Sequence, residues 1–440
     1  MTVSGEGPSR AANSAPSGGS EQRPSASVGV DNPGPLAHLT ILDLSRVLAG
    51  PWCTQLFADL GATVIKIEKP GSGDDTRAWG PPFLADRAGN ETAEAAYYLA
   101  CNRGKQSVAI DFTKSEGRDL VLALARASDA FVENFKVGGL KKYGLDYETL
   151  REVNPRLVYC SITGFGQESP YADRGGYDFV AQGMGGFMSI TGEADGGPLR
   201  AGVAIADLST GMYATVSVLA ALRHAERTGV GQQIDISLLD TQIAMLANQA
   251  MNWLVGGIVP GRLGNRHPTV VPYKTFEVAD GIIIIAVGND SQFRLLCEEL
   301  GIPGLADDPR FATSRARLVN RDQIEAIVQD LVRNLESGPL MERLVARGVP
   351  TGPVNNIQQV FEDPFVEARG AVHRFVREDG VAVPTVAFPA KLSETPADYR
   401  YRQPKVGEHT REVLGEWLGL GGEQLDGLSA SGAVAQLDDH

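Results

Sequence analysis

A chain of 440 residues with 43% hydrophobic and 21% charged residues has the composition of an ordinary globular protein, long enough for one large and one smaller domain. Its 54 acidic against 40 basic residues leave a net charge of −14, which opposes non-specific binding to nucleic acid and requires a local Lys/Arg cluster for any anionic ligand. Cys53, Cys101, Cys160 and Cys297 stand far apart in apolar segments without a CxxC pair, and the histidines are equally scattered; buried thiols in a reducing cytosol are expected, with no metal site.

Residues 1–36, rich in Ser, Gly, Pro and Ala, read as a disordered tail lacking the apolar core of a signal peptide. A strand is expected over 39–44, a helix from Gly50-Pro51 to Leu60, and a second strand over 63–68, which together form a βαβ unit. The pattern repeats with a strand over 107–112, a helix over 114–127 and strands over 130–135 and 157–162. Such repetition predicts a parallel sheet with helices on both faces. The turn Ser45-Arg46-Val47-Leu48-Ala49-Gly50-Pro51 lacks GxGxxG, so the sheet is Rossmann-like without the dinucleotide fingerprint, and a nicotinamide oxidoreductase fails on that ground.

Two long helices are expected over 206–227 and 239–255. Strands over 273–278 and 282–287 then flank Asp280-Gly281, a hairpin signal, and helices over 292–300, 321–335 and 340–347 follow. The apolar run at 282–287 is too short to span a bilayer, so no membrane partner is expected. The reading is an α/β protein: a Rossmann-like large domain over 37–261, a small α+β domain over 262–350, and a return to the large domain over 351–425. A weakly structured C-terminal tail completes it, over 426–440, with order already fading from Gly422.

The run Gly175-Gly176-Tyr177-Asp178-Phe179-Val180-Ala181-Gln182 places a carboxylate after paired glycines and before a Gly-rich segment. Two readings are open. Asp178 can cap a helix over 179–182, worth roughly 1 kcal/mol. Alternatively, on a segment of small residues, it can be held against a substrate carbonyl as a nucleophile. Gly183, Gly185 and Gly186 just beyond it are candidates for oxyanion contacts or, equally, for tight packing.

Several segments in order resemble the class III CoA-transferases: Asp43-Leu44-Ser45-Arg46-Val47-Leu48-Ala49-Gly50-Pro51, Val64-Ile65-Lys66-Ile67-Glu68-Lys69-Pro70, Asn102-Arg103-Gly104-Lys105, Val132-Glu133-Asn134-Phe135 and Ser161-Ile162-Thr163-Gly164-Phe165-Gly166. Asp178 in its context belongs to the same family resemblance, while Gly73-Asp74-Asp75-Thr76-Arg77-Ala78-Trp79-Gly80-Pro81-Pro82-Phe83 and His267-Pro268-Thr269-Val270-Val271-Pro272-Tyr273 look like the branch that moves CoA from succinyl-CoA to glutarate or hydroxymethylglutarate. The resemblance implies interlocked homodimers of ring-shaped subunits and an Asp178 nucleophile that forms an anhydride and then a CoA thioester. It places CoA contacts at Leu48, Ala49, Lys69, Asn102, Arg103, Lys105, Asn134, Phe135, Lys136 and Lys142. Some members carry Gln where this chain has Leu48, so only a backbone contact is carried over there. Arg46, Arg77, Gly264, Asn265, Arg266 and His267 are the candidates for holding the acceptor carboxylic acid. Two rivals share the fold. A racemase of the α-methylacyl-CoA type places His where Tyr177 stands, and tyrosine is a poor base at neutral pH. A non-catalytic acyl-CoA-binding protein has no need of Asp178.

Overall fold

The computed structural model describes residues 34–436, so the expected N-terminal tail lies outside the described residues except for 34–36. A seven-stranded sheet runs in the order Val434–Ala435, Lys105–Ile110, Thr63–Glu68, Thr40–Asp43, Ala130–Glu133, Val158–Thr163, Gln233–Ser237. Every neighbouring pair is parallel except Val434–Ala435, which joins the edge antiparallel. From Thr40–Asp43 the chain builds outward through Thr63–Glu68 to Lys105–Ile110. It then crosses to the opposite side and adds the other three parallel strands. The order therefore reverses between Thr40–Asp43 and Ala130–Glu133, and in such a sheet a crevice opens there beyond the strand C-termini.

Side chains alternate across the strands. Ile41, Val64, Val132 and Cys160 face the helices Ala49–Asp59 and Ile205–Thr228; Leu42, Ile65, Val108 and Phe131 face Ser115–Ala127 and Thr410–Leu418. Ile205–Thr228 is long and apolar enough to cross a membrane, but it gives Ala206, Ala214, Val218 and Leu222 to the core beneath the sheet. The small domain has a three-stranded antiparallel sheet, Thr351–Pro353, Gly281–Ala286 and Tyr273–Val278, packed through Phe276, Ile283, Phe293 and Leu296.

Besides two small unexpected antiparallel pairs, Phe83–Ala85 with Glu91–Ala95 and Val372–Val376 with Ala382–Val386, three regions depart from expectation. Gln233–Ser237 is an unexpected edge strand with an alternating polar pattern. The helix expected over 239–255 is two helices, Leu238–Ala244 and Ala247–Gly256, broken where Ala247 takes φ 44°. The stretch expected to be weakly structured from Gly422 instead forms the helix Gly422–Ala430 and the strand Val434–Ala435, because Leu425 and Val434 close the core beside Leu414.

Candidate active site

The loop after Thr40–Asp43 is fixed by buried charge. Burial alone would raise the Asp43 carboxyl, but Lys105 and Lys66 beside it, with Ser45 and Thr54 hydrogen bonds, bring it down to about 2. Its Oδ1 accepts the Ser45 amide at 2.9 Å, and its Oδ2 accepts Thr54 Oγ1 at 2.6 Å and Lys105 Nζ at 3.1 Å. Lys66 Nζ donates to Ser45 O at 2.8 Å and to Asp74 Oδ2 at 3.0 Å, and Asp74 Oδ1 accepts the Val47 amide at 3.3 Å. These anchors hold Val47 at φ 71°, a left-handed conformation a β-branched residue rarely takes.

Across the switch point, the Arg46 amide donates to Asn134 Oδ1 at 2.9 Å, and Asn134 Nδ2 returns a bond to Arg46 O at 2.7 Å. Glu133 steadies the second loop by accepting the Phe135 amide at 2.7 Å and by a short hydrogen bond from Ser161; burial pushes its carboxyl up to about 7. The two loops and the end of Val158–Thr163 frame a cavity of about 350 Å³. Arg46, Leu48, Ala49, Asn134, Phe135 and Lys136 line it, together with Arg174, Tyr177 and Asp207.

Asp178 is 9% exposed and lies just behind the cavity wall, between the wall residue Tyr177 in sequence and the wall residue Asp207, whose amide it binds. It is the first residue of the helix Asp178–Met184, yet its side chain does not cap that helix. Oδ1 instead accepts the amides of Ala206 at 2.8 Å and Asp207 at 3.4 Å, the opening residues of the long helix Ile205–Thr228, and Oδ2 accepts Gln182 Nε2 at 2.7 Å. Gln182 is in turn fixed by the Ala201 amide at 2.8 Å. Two glycines make this placement possible: a Cβ on Gly176 would stand 2.3 Å from Gly164 Cα, and one on Gly164 would stand 2.5 Å from Gly176 Cα. The loop before Asp178 thus lies backbone to backbone on the end of Val158–Thr163.

Of the expected oxyanion donors, the Gly185 and Gly186 amides are taken by Ala181 O and Gly183 O, and Gly183 lies inside the helix Asp178–Met184. The donors that reach Asp178 are the Ala206 and Asp207 amides at the N-terminus of the long helix and Gln182 Nε2. An anion or a developing negative charge is stabilised at such a terminus.

The expected CoA-contacting cations divide. Lys69, Lys136 and Lys142 are exposed, with Lys142 Nζ 4.7 Å from the Tyr143 ring. Arg103 is buried and donates Nε and Nη2 to the two Asp59 oxygens, at 2.7 and 2.6 Å, and Nη1 to Thr385 Oγ1 at 3.0 Å. Lys105 opens its strand rather than preceding it, and is fully buried on Asp43, Pro51 O and Asn102 Oδ1. Asn102 is buried on Tyr98 O. These three face protein partners, not the cavity.

The acceptor candidates divide likewise. Arg46 reaches the cavity, 3.1 Å from Asp75 and over the Phe135 ring. Arg77 is consumed by Glu68 at 2.9 and 2.7 Å, by Tyr98 Oη and by Pro404 O. Arg266 pairs with Asp322 and Glu325 of the small domain, and His267 Nδ1 accepts the Thr269 and Val270 amides. Asn265 Nδ2 donates to Thr275 Oγ1, and Gly264, at φ 59°, donates its amide to Gly192 O. The 264–267 turn is therefore folded onto its own surroundings. Arg174, Tyr177, Gln182 and Asp207 were not singled out for these roles; the Asp178/Gln182 spacing of four was the available helical signal.

A larger groove lies elsewhere, along Arg377, Arg400, Arg402 and His409, but its arginines pair with Glu94, Asp398 and Glu408.

Residues 36–410 match the family model described as CoA-transferase family III. Over 382 residues the chain is 52% identical to a protein from Agrobacterium fabrum named succinate–glutarate CoA-transferase, covering 87% of this chain and 95% of that protein. A human protein named succinyl-CoA:glutarate CoA-transferase is 39% identical over 416 residues, covering 93% and 92%. Another from Haloarcula hispanica, named succinyl-CoA:mesaconate CoA-transferase, is 39% identical over 388 residues, covering 87% and 96%. The crystal structure of a CAIB/BAIF family protein from Brucella suis superposes with a TM-score of 0.78 at 48% identity, covering 88% of this chain and 100% of that one.

Proposed function

The chain belongs to CoA-transferase family III, and on that premise we propose that it moves CoA from succinyl-CoA to a dicarboxylate such as glutarate, with Asp178 as the nucleophile. The observation that carries the reading is the Asp178 carboxylate, held by the amides of Ala206 and Asp207 and by Gln182 beside the switch-point cavity. One Asp178 oxygen attacks the thioester carbonyl of the donor; the C–S bond breaks, giving a mixed anhydride and CoA thiolate. The thiolate attacks the Asp178 carbonyl and expels succinate, leaving an aspartyl–CoA thioester. The acceptor carboxylate then attacks that carbonyl and the sequence runs in reverse, so one thioester is made for each one broken.

The ligand needs cations in an acidic protein. Lys136, Arg174 and Arg46 at the cavity supply them for the CoA phosphates and the acceptor's distal carboxylate, with Lys69 and Lys142 outside it. Tyr177 in place of a histidine disfavours proton abstraction at an α-carbon.

The assembly belongs to the same reading: an interlocked homodimer of ring-shaped subunits. Its support is apolar exposure on three helices: Phe179 and Met184 on Asp178–Met184, Val216 on Ile205–Thr228, and Trp253, Leu254 and Val255 on Ala247–Gly256. The four cysteines, all buried and unbridged, suit the cytosol.

A panel assay tests the function: purified protein, succinyl-CoA and a set of carboxylic acids, with the acyl-CoA products identified by mass. Glutaryl-CoA should form readily and butyryl-CoA poorly. Failure to form any new acyl-CoA would refute the transferase reading.

A further inference from the structure

Asp207 opens the long helix one residue beyond Ala206, and its own amide bonds Asp178 Oδ1. It lines the same cavity as Arg46, Leu48 and Tyr177, and its carboxyl lies within reach of the Asp178 charge. Two carboxyl groups so close, away from bulk water, do not both carry charge readily. Burial first, and then the negative charge of Asp178, raise the Asp207 carboxyl from 3.8 to about 7. The groups around it leave that state in place. Tyr97, from the short helix Ala96–Leu99, has its phenol pushed up to about 12 by burial and then by Asp207 and other neighbours, so it brings no charge. Asp75 lies on the cavity wall against Arg46, and Arg174 and Lys136 are the remaining charged groups of that wall.

We propose that the Asp207 carboxyl is a catalytic group of the transfer, staying protonated to donate its O–H to the carboxylate that attacks the Asp178 thioester. This deepens the transferase reading and rests on it. In the attacking step one oxygen of the incoming acid accepts the Asp207 O–H. Its other oxygen forms the new C–O bond to the Asp178 carbonyl carbon. The C–S bond breaks and CoA leaves as thiolate. No proton is transferred, and Asp207 ends the step as it began. An ionised Asp207 would repel the incoming anion and offer it no donor, so productive binding of the acid would fail as Asp207 loses its proton. An asparagine at 207 has the same shape and keeps a donor, an N–H, at every pH.

The test uses the full chain with succinyl-CoA and glutarate, read as kcat/KM for glutarate from about pH 5.5 to about pH 9. In the wild type, kcat/KM should show an alkaline limb that falls about tenfold per pH unit and begins below the value of about 7 of the free enzyme, because the thioester removes the Asp178 charge and leaves burial as the cause. Asp207→Asn should keep at least about a third of the wild-type value at about pH 6 and lose that alkaline limb. Asp207→Ala should lose about a hundredfold or more across the whole range, with the KM for succinyl-CoA within about twofold of wild type. Circular dichroism and urea midpoints separate these effects from misfolding; should the alanine variant fail to fold, the isosteric asparagine variant decides. An alkaline limb that persists in Asp207→Asn, or a folded Asp207→Ala with near wild-type activity, would overturn the proposal while leaving the transferase reading intact. Absence of transfer to any diacid by the wild type would remove both.

Discussion

Replacing Arg103 with methionine separates a structural cation from a ligand-binding one. Arg103 is 4% exposed and its partner Asp59 is 1% exposed. Losing the guanidinium removes bonds of 2.7 and 2.6 Å to Asp59 and of 3.0 Å to Thr385, leaving a buried carboxyl without its cation. Breaking a buried pair on one side costs about 3–5 kcal/mol, whereas replacing both partners with apolar groups of similar volume is close to neutral. Burial already raises Asp59 despite Arg103, so part of the cost will appear as protonation of Asp59. Urea unfolding should show Arg103→Met destabilised by about 3–5 kcal/mol with an unchanged slope, and the double variant Arg103→Met/Asp59→Leu should recover most of that loss. In the protein that remains folded, the KM for succinyl-CoA should stay within about twofold. Lys136→Ala should behave oppositely: native stability, but a KM raised about tenfold or more, as expected when a charge-assisted phosphate contact of about 1.5–3 kcal/mol is lost. An Arg103→Met variant with a wild-type urea midpoint and a KM raised as in Lys136→Ala would refute this assignment.

Two further outcomes follow from the geometry. Gly176→Ala places a methyl group 2.3 Å from Gly164 Cα, so the loop before Asp178 must lift off the sheet; a loss of several kcal/mol in stability or of at least about a hundredfold in kcat is expected, and full activity would contradict the backbone contact. Glu133 has its folded pKa raised from 4.5 to about 7, so its contribution to stability is fully present below about pH 4.5 and is lost as pH rises through 7. Glu133→Gln keeps an acceptor for the Phe135 amide without the charge, and should match the wild type in urea at about pH 4 yet exceed it by up to about 3 kcal/mol at about pH 8; equal stabilities at the higher pH would refute the raised carboxyl.

The parallel strands were legible because their central residues are continuous apolar runs, such as Val64-Ile65 and Val108-Ala109-Ile110. Gln233–Ser237 was not, since an edge strand reading Gln-Ile-Asp-Ile-Ser has only two large apolar residues to declare it. The break at Ala247 carries no Gly or Pro to signal it. Within the site, Asp178 stood out through its glycines, but its partner did not. The amides it binds belong to residues 28 and 29 positions further on, a contact made by folding rather than by spacing. The cations were misread for a related reason. Arg103 and Lys105 lie next to a strand, as ligand-binding residues often do, while the carboxylates that claim them, Asp59 and Asp43, lie 44 and 62 positions away.

The most direct measurement of the central claim is covalent trapping at Asp178. Protein incubated with succinyl-CoA alone, treated with borohydride and digested, should yield a peptide spanning Asp178 in which that carboxyl is reduced to an alcohol, as a thioester or anhydride is and a free carboxylate is not. Asp178→Asn should yield no such peptide and should lose transfer by several orders of magnitude. Modification appearing on another residue, or transfer persisting in Asp178→Asn, would contradict an Asp178 nucleophile.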